Sequence, residues 1–434
     1  MRCAALLVTA TLLATGGVPP ARAAPPAAAT IDSQHPLIVV TFANTPGHPP
    51  GRAGTTAHRY SGNGYLIAQS AHKQAQRVAT TYSLREVANW PIRSLSVHCV
   101  VFEVPDDRPV AAIIAALAKD PQISLAQPLQ RFHTLTQART ESPAAGSPYN
   151  DPLYDLQTNL TSLGIAQAHE QSLGAGVRVA LIDTGVDATH PDLRERIVGT
   201  HSFVGKRATS SGSFRHGTAM AGVIAATANN NVGIVGIAPL AQVEVFEACW
   251  QLRPDADAAV CNTFTLAQAL AAVIDARVPL VNLSIAGPAD PLLSALVEAG
   301  LKRGVIFIGA AAEESDAFPT GIPGVIGVGS NEREPGRSAV TAPSMHVLTL
   351  RPQAQYDFES GTSMAAAEVT GVVALLLSAD SHLTADSVQT LLKRTAGNTP
   401  QTGRADSLGV AVNATAALAG IIDQRGRRVA QSPR

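Results

Sequence analysis

Val177-Arg178-Val179-Ala180-Leu181-Ile182-Asp183-Thr184-Gly185 is an apolar run that stops on a carboxylate. Val179 to Ile182 show no alternation of polar and apolar residues, so a strand built from them is covered on both faces. Working outward, stretches of helical and strand character alternate. Helical patterns occupy 216–226, 264–276 and 291–302, and strand patterns 242–246, 279–284, 305–310 and 325–329. Strands that alternate with helices imply right-handed crossovers. The expected fold is α/β, a mostly parallel central sheet with helices on both faces. Ligands of such sheets lie beyond the carboxyl ends of the strands, which is where Asp183 falls.

The residues before this domain read differently. Strand patterns at 37–42, 99–104 and 123–126 enclose helical ones at 68–80 and 110–118. This β-α-β-α-β order suggests a small α+β unit within residues 24–133. Residues 134–151 are rich in Ser, Pro, Ala and Gly and read as a linker or processing region. The α/β domain then spans 152–422, and 423–434 form a basic tail. At the start, Arg2, the apolar run from Ala4 to Thr15 and Ala21-Arg22-Ala23 have the order of a signal peptide, residues 1–23. That run is shorter than the about 20 residues a bilayer span requires. The expectation is export, to the periplasm or the medium, with no membrane attachment after cleavage.

The formal net charge of −1 offers no basic field for nucleic acid. Of the four cysteines, Cys3 lies in the leader and Cys99 stands alone. Cys249 and Cys261 flank a polar stretch with the character of a surface loop. In an oxidising compartment they close that loop as a disulfide; otherwise they stay as two thiols.

Three polar residues stand at element ends. Asp183 terminates its strand and either faces the cleft or caps the following turn. His216 opens His-Gly-Thr-Ala-Met-Ala-Gly, whose Gly217 and Gly222 let a helix approach a sheet closely. Ser363 lies in Gly361-Thr362-Ser363-Met364-Ala365, ahead of an apolar helix with no polar face. A serine there is either an ordinary cap or a nucleophile among free backbone N–H groups at the positive end of a helix dipole.

Taken together, these motifs resemble the subtilase family of serine peptidases, whose Asp…His…Ser order is a standard worked case. The likeness runs over about 156–419 and includes Thr189-His190-Pro191-Asp192-Leu193, Gly236-Ile237-Ala238-Pro239 and Val281-Asn282-Leu283-Ser284. It implies a secreted endopeptidase in which Ser363 attacks the scissile carbonyl and forms an acyl-enzyme. His216 moves the proton and Asp183 orients the imidazole. It also implies that Ser284, Ile285, Ala286, Ala310 and Ala311 flank a bound peptide, and that Thr362 aids the oxyanion. Peptides or proteins are then the substrates. The N-terminal unit resembles a propeptide, an intramolecular chaperone and inhibitor of its own enzyme.

The pattern breaks where the family carries an oxyanion-binding asparagine, since Glu313 stands there. An ionised carboxylate cannot donate a hydrogen bond, and loss of that donor costs about 10²–10³ in turnover. Either the Ser363 N–H and Thr362 suffice, or Glu313 is protonated and donates, or the enzyme is slow or inactive. A second departure is Ala367, where the family has proline. The contrasting reading is a non-catalytic peptide-binding relative. Asp183-Thr-Gly also matches aspartic peptidases, but no second Asp-Thr-Gly or Asp-Ser-Gly exists to share the proton. The chemistry needs no cofactor. Asn229 to Ile234 resembles a family loop whose carbonyls and one amide, that of Asn230, hold structural calcium with the Asp192 carboxylate; the plain alternative is an Asn/Gly-rich turn.

Overall fold

The computed structural model describes residues 35–44, 67–105, 108–134, 137–138, 148–205, 214–251, 259–312, 318–332, 338–396 and 410–421. The expected leader, most of the linker, the basic tail and Glu313 lie outside them.

The N-terminal unit comprises β1 (Leu37–Ala43), α1 (Gln69–Thr81), β2 (Arg85–Ile92), β3 (Val97–Glu103), α2 (Val110–Leu117) and β4 (Ile123–Pro128). Its antiparallel sheet has the order β2-β3-β1-β4. The sequence reading of β-α-β-α-β lacked β2. That strand reads Arg-Glu-Val-Ala-Asn-Trp-Pro-Ile with only Trp90 and Ile92 buried, and as an edge strand it tolerates Pro91. Strands β1 and β3 are apolar on both faces because both faces are covered. Ile38, Val40, Phe42, Val100 and Phe102 pack against α1 and α2, whereas Val39, Cys99 and Val101 join the core of the larger domain.

The chain continues through β5 (Arg131–Thr134) and β6 (Gln137–Ala138), then α3 (Thr158–Leu163) and α4 (Ile165–His169). The larger domain follows: β7 (Arg178–Asp183), β8 (Ile197–Ser202), α5 (Arg215–Ala225), β9 (Gln242–Glu247), β10 (Cys249–Gln251), β11 (Ala259–Asn262) and α6 (Thr263–Ala276). Next come β12 (Leu280–Leu283), β13 (Ile285–Ala286), α7 (Pro291–Leu301), β14 (Ile306–Ala310), β15 (Ile326–Ser330) and β16 (Val340–Ala342). The hairpin β17 (Val347–Arg351) and β18 (Gln355–Ser360) leads into α8 (Thr362–Ala379), α9 (Ala385–Arg394) and β19 (Val410–Ala411).

Eight strands form one sheet in the order β19-β16-β15-β14-β12-β7-β9-β8, and every pairing in it is parallel. Successive residues of β7 point to opposite cores. Val179 and Leu181 join the layer containing α5 and α8, and Ala180 and Ile182 the layer containing α6 and α7. The continuous apolar run is therefore the consequence of helices on both faces. Among the described residues, α8 is the one helix long and apolar enough to cross a membrane; it lies buried in this core.

The two units share packing. Trp90 meets Phe264 of α6 edge-on with ring centroids 4.7 Å apart, and the Gln127 Oε1 accepts from the Leu292 N–H at the start of α7. The segment read as a linker is partly structured, since β6 pairs with the end of β18.

Candidate active site

Asp183 ends β7 wholly buried, and an unpaired charge there would be costly. Its Oδ1 accepts the Thr184 N–H at 2.6 Å, and the His216 Nδ1 donates to the carboxylate at 2.7 and 2.9 Å. Donation from Nδ1 makes Nε2 the basic nitrogen of the ring. His216 reaches this position because α5 lies hard against the turn after β7. A Cβ on Gly217 would stand 2.5 Å from the Gly185 carbonyl oxygen and 2.7 Å from that of Thr184. The Gly217 N–H instead donates to the Thr184 Oγ1 at 2.8 Å. Glycine is thus what permits the Asp183–His216 contact.

Ser363 is the second residue of α8 and wholly buried. The helix starts on Gly361, whose φ of 142° favours glycine, and the Gly361 N–H donates to the Ser344 carbonyl at 2.7 Å. The Ser363 Oγ donates to the Ser284 carbonyl and the Ser284 Oγ to the Ser363 carbonyl, both at 3.0 Å. Asn282 Nδ2 donates to the Ser284 Oγ at 2.9 Å, and the Thr370 Oγ1 donates to the Asn282 Oδ1 at 2.8 Å. Because Asn282 of β12 lies opposite Leu181 of β7, Ser284 arrives at the level of Asp183. Ser363, clasped to Ser284, therefore shares the carboxyl end of the sheet with Asp183 and His216. Thr362 begins α8, where the first N–H groups have no partner within the helix.

A second, antiparallel sheet has the order β10-β11-β5-β13. The chain's own β5 is inserted between β11 and β13, with Cys261 opposite Phe132 and Ile285 opposite Thr134. After two intervening residues, Gln137 and Ala138 pair with Ser360 and Glu359, immediately before the Ser363 turn. The chain's own β5 and β6 thus flank the site on either side. Phe132 is wholly buried, edge-on to Phe318 at 5.3 Å, and seated where a Cβ on Gly287 would come within 2.0 Å of its ring.

Among the expected flanking residues, Ile285 and Ala286 do pair with an extended strand, while the Ser284 side chain is committed to Ser363. Ala310 and Ala311 are buried at the end of β14, where the Ala311 N–H is taken by the Val328 carbonyl. Sequence reasoning missed β11, the opposite wall of the groove; its trace is the short run Ala259-Val260-Cys261 after the polar loop. Cys249 and Cys261 form a disulfide, and Cys99 is a buried thiol whose pKa burial pushes well up.

Asp192 and Asn230 also come together, linked by a hydrogen bond. The Asp192 Oδ1 accepts from the Asn230 Nδ2 at 2.8 Å, and Oδ2 from the Ile234 N–H and the Tyr356 hydroxyl at 3.1 and 3.2 Å. The Asn230 Oδ1 accepts from the Val232 N–H at 2.8 Å. Calcium takes six to eight oxygens, and Asp192 Oδ1 and Asn230 Oδ1, each accepting one hydrogen bond, keep a lone pair apiece. Burial pushes the Asp192 pKa up.

Residues 174–411 match the family model described as the subtilase family. Thermitase of Thermoactinomyces vulgaris is 29% identical over 268 residues, 58% of this chain and 93% of that protein. The intracellular serine protease of Paenibacillus polymyxa is 33% identical over 53% of this chain and 78% of that one. Subtilisin E of Bacillus subtilis is 32% identical over 51% and 61%. Among solved structures, fervidolysin of Fervidobacterium pennivorans superposes with a TM-score of 0.67 at 22% identity, over 89% of this chain and 61% of that one. A protease of Pseudoalteromonas arctica superposes with a TM-score of 0.54 at 24% identity, over 63% of this chain and 99% of that one. These superpositions show a shared fold.

Proposed function

The chain belongs to the subtilase family and is a serine-type endopeptidase, and on that premise we propose how its residues divide the work. Ser363 attacks the scissile carbonyl, His216 takes its proton through Nε2 and returns it to the leaving amine, and Asp183 holds the ring and steadies its charged form. The oxyanion that develops meets the N–H of Ser363 and the first turn of α8, with Thr362 beside it. Glu313 supplies no donor when ionised, so turnover falls below that of an asparagine-bearing enzyme.

Substrate binds as an added strand between β11 and β13, where backbone pairing supplies affinity and pockets select side chains. The observation that carries this reading is the chain's own passage through that groove. Strands β5 and β6 pair on either side of the Ser363 turn, so the cut is expected between them. The N-terminal unit is accordingly a propeptide that blocks the groove until its own enzyme cuts it there. The buried Phe132 supports a preference for an aromatic residue a few positions before the cut. The leader-like residues 1–23 and the Cys249–Cys261 disulfide support export. The chemistry runs without a cofactor.

The test is to express wild type and Ser363→Ala and follow both by mass and by labelling with a serine-directed fluorophosphonate. Wild type should label and release a fragment ending between residues 134 and 137, and the variant should do neither. Wild type that neither labels nor cuts itself would refute the assignment.

A further inference from the structure

The two walls of the peptide groove are held very differently. β13 continues directly from β12 of the large sheet through Ser284, which is clasped to Ser363. Beyond β13, Gly287 and Phe318 exchange two backbone hydrogen bonds at 2.8 and 3.1 Å. β11 is held on its outer side by a short strand ladder. Its neighbour there is β10, three residues long, and the two share three register pairs. One of those pairs is Cys249 with Cys261, joined by the disulfide. Both sulfurs belong to wholly buried residues.

The location of the two cysteines gives the crosslink its meaning. Cys249 comes two residues after Glu247, which lies opposite Asp183 in the register of β9 with β7. The intervening Ala248 N–H donates to the Asp183 carbonyl at 2.8 Å. Cys261 is the residue of β11 that faces Phe132, the centre of the inserted strand. The disulfide therefore fastens the middle of the outer groove wall to the strand end beside Asp183. A strand with one free side otherwise depends on a short ladder for its spacing.

We propose that the Cys249–Cys261 disulfide is a positioning crosslink for substrate, holding β11 at the distance that an extended peptide needs to pair with both walls. This rests on the reading of the β11–β13 groove as the substrate site. Peptides long enough to reach Cys261 use the outer wall, and peptides confined to Ile285 and Ala286 do not. Reduction by dithiothreitol transfers two electrons and two protons to the S–S bond, leaving two thiols on the protein and the cyclic disulfide of the reagent. Freed of the link, β11 is lost as a partner while Asp183, His216 and Ser363 keep their own contacts.

The experiment uses the self-processed wild-type enzyme before and after dithiothreitol, with thiol titration to confirm reduction of this one bond. Two p-nitroanilides copied from the chain's own groove segment serve as probes: Phe-His-Thr-Leu, residues 132–135, and Thr-Leu, residues 134–135. Reduction should lower kcat/KM for the longer probe about tenfold through KM, the worth of roughly one backbone pair. The shorter probe should change less than about twofold. Cys249→Ser with Cys261→Ser should reproduce the reduced enzyme, and reoxidation should restore the wild type alone. Equal loss on both probes would assign the disulfide to general stability and overturn the proposal, as would no loss on either. An enzyme that cleaves neither probe before reduction would refute the groove assignment, and the proposal with it.

Discussion

Glu368 sits five residues beyond Ser363 on α8, wholly buried in a largely apolar helix. Asn159 of α3 donates from Nδ2 to the Glu368 Oε1 at 2.8 Å. The other two polar atoms of the pair, Glu368 Oε2 and Asn159 Oδ1, have no hydrogen-bond partner. Those two become each other's partner only when the carboxyl carries a proton: Oε2–H then donates to Oδ1 and closes a two-bond acid–amide ring. Burial pushes the Glu368 pKa well above the ordinary glutamate range, and the charge of Glu332 pushes the same way. The folded protein therefore keeps a proton that the unfolded chain releases. Its stabilising contribution is complete below the ordinary glutamate pKa and is lost as pH rises toward the raised value. Between those limits the loss runs at about 1.4 kcal/mol per pH unit. Glu368→Gln keeps the shape and both hydrogen bonds without the titration. In a Ser363→Ala background, which prevents self-digestion, urea unfolding should show the glutamine variant gaining on its parent by about 1.4 kcal/mol per pH unit above about pH 5. Parallel stability–pH curves for the two proteins would refute the protonated pair.

Three further outcomes follow from the site. Gly217→Ala forces a methyl group into the Gly185 and Thr184 carbonyls, so self-processing should fall by at least about a hundredfold, read by mass against wild type, as the Asp183–His216 geometry is lost. On the proposed role of position 313 as the family's oxyanion donor, Glu313→Asn should raise turnover of a short chromogenic peptide by about 10–10². Slower turnover would assign Glu313 a role of its own. Because hydrogen bonds to protein donors already hold Asp192 and Asn230 in place, EGTA should leave the calorimetric melting midpoint of Ser363→Ala unchanged. A lower midpoint in EGTA would show that the loop rearranges around calcium.

The parts of the fold legible in sequence were those with a one-dimensional signature. The doubly covered strands β7, β12 and β14 are continuous apolar runs because neither face meets water. Each of Asp183, His216 and Ser363 is announced by glycine or small neighbours, since close backbone approach excludes other residues. β2, β8 and β18 carry no such signature. They are partly exposed and polar, and they are strands only because a neighbour supplies the ladder.

By itself the sequence determined the family, the parallel α/β core and the three residues at its carboxyl edge, all properties of short segments and their order. Tertiary structure alone decided what those segments meet. Whether Cys249 reaches Cys261 depends on two strands folding back in register, and whether Asp192 holds a metal or hydrogen bonds depends on Tyr356, distant in sequence. The passage of β5 and β6 through the groove is the clearest case. Thr134, Gln137 and Ala138 fall in the segment read as a linker, yet they lie in strands because β13 and β18 supply their backbone partners.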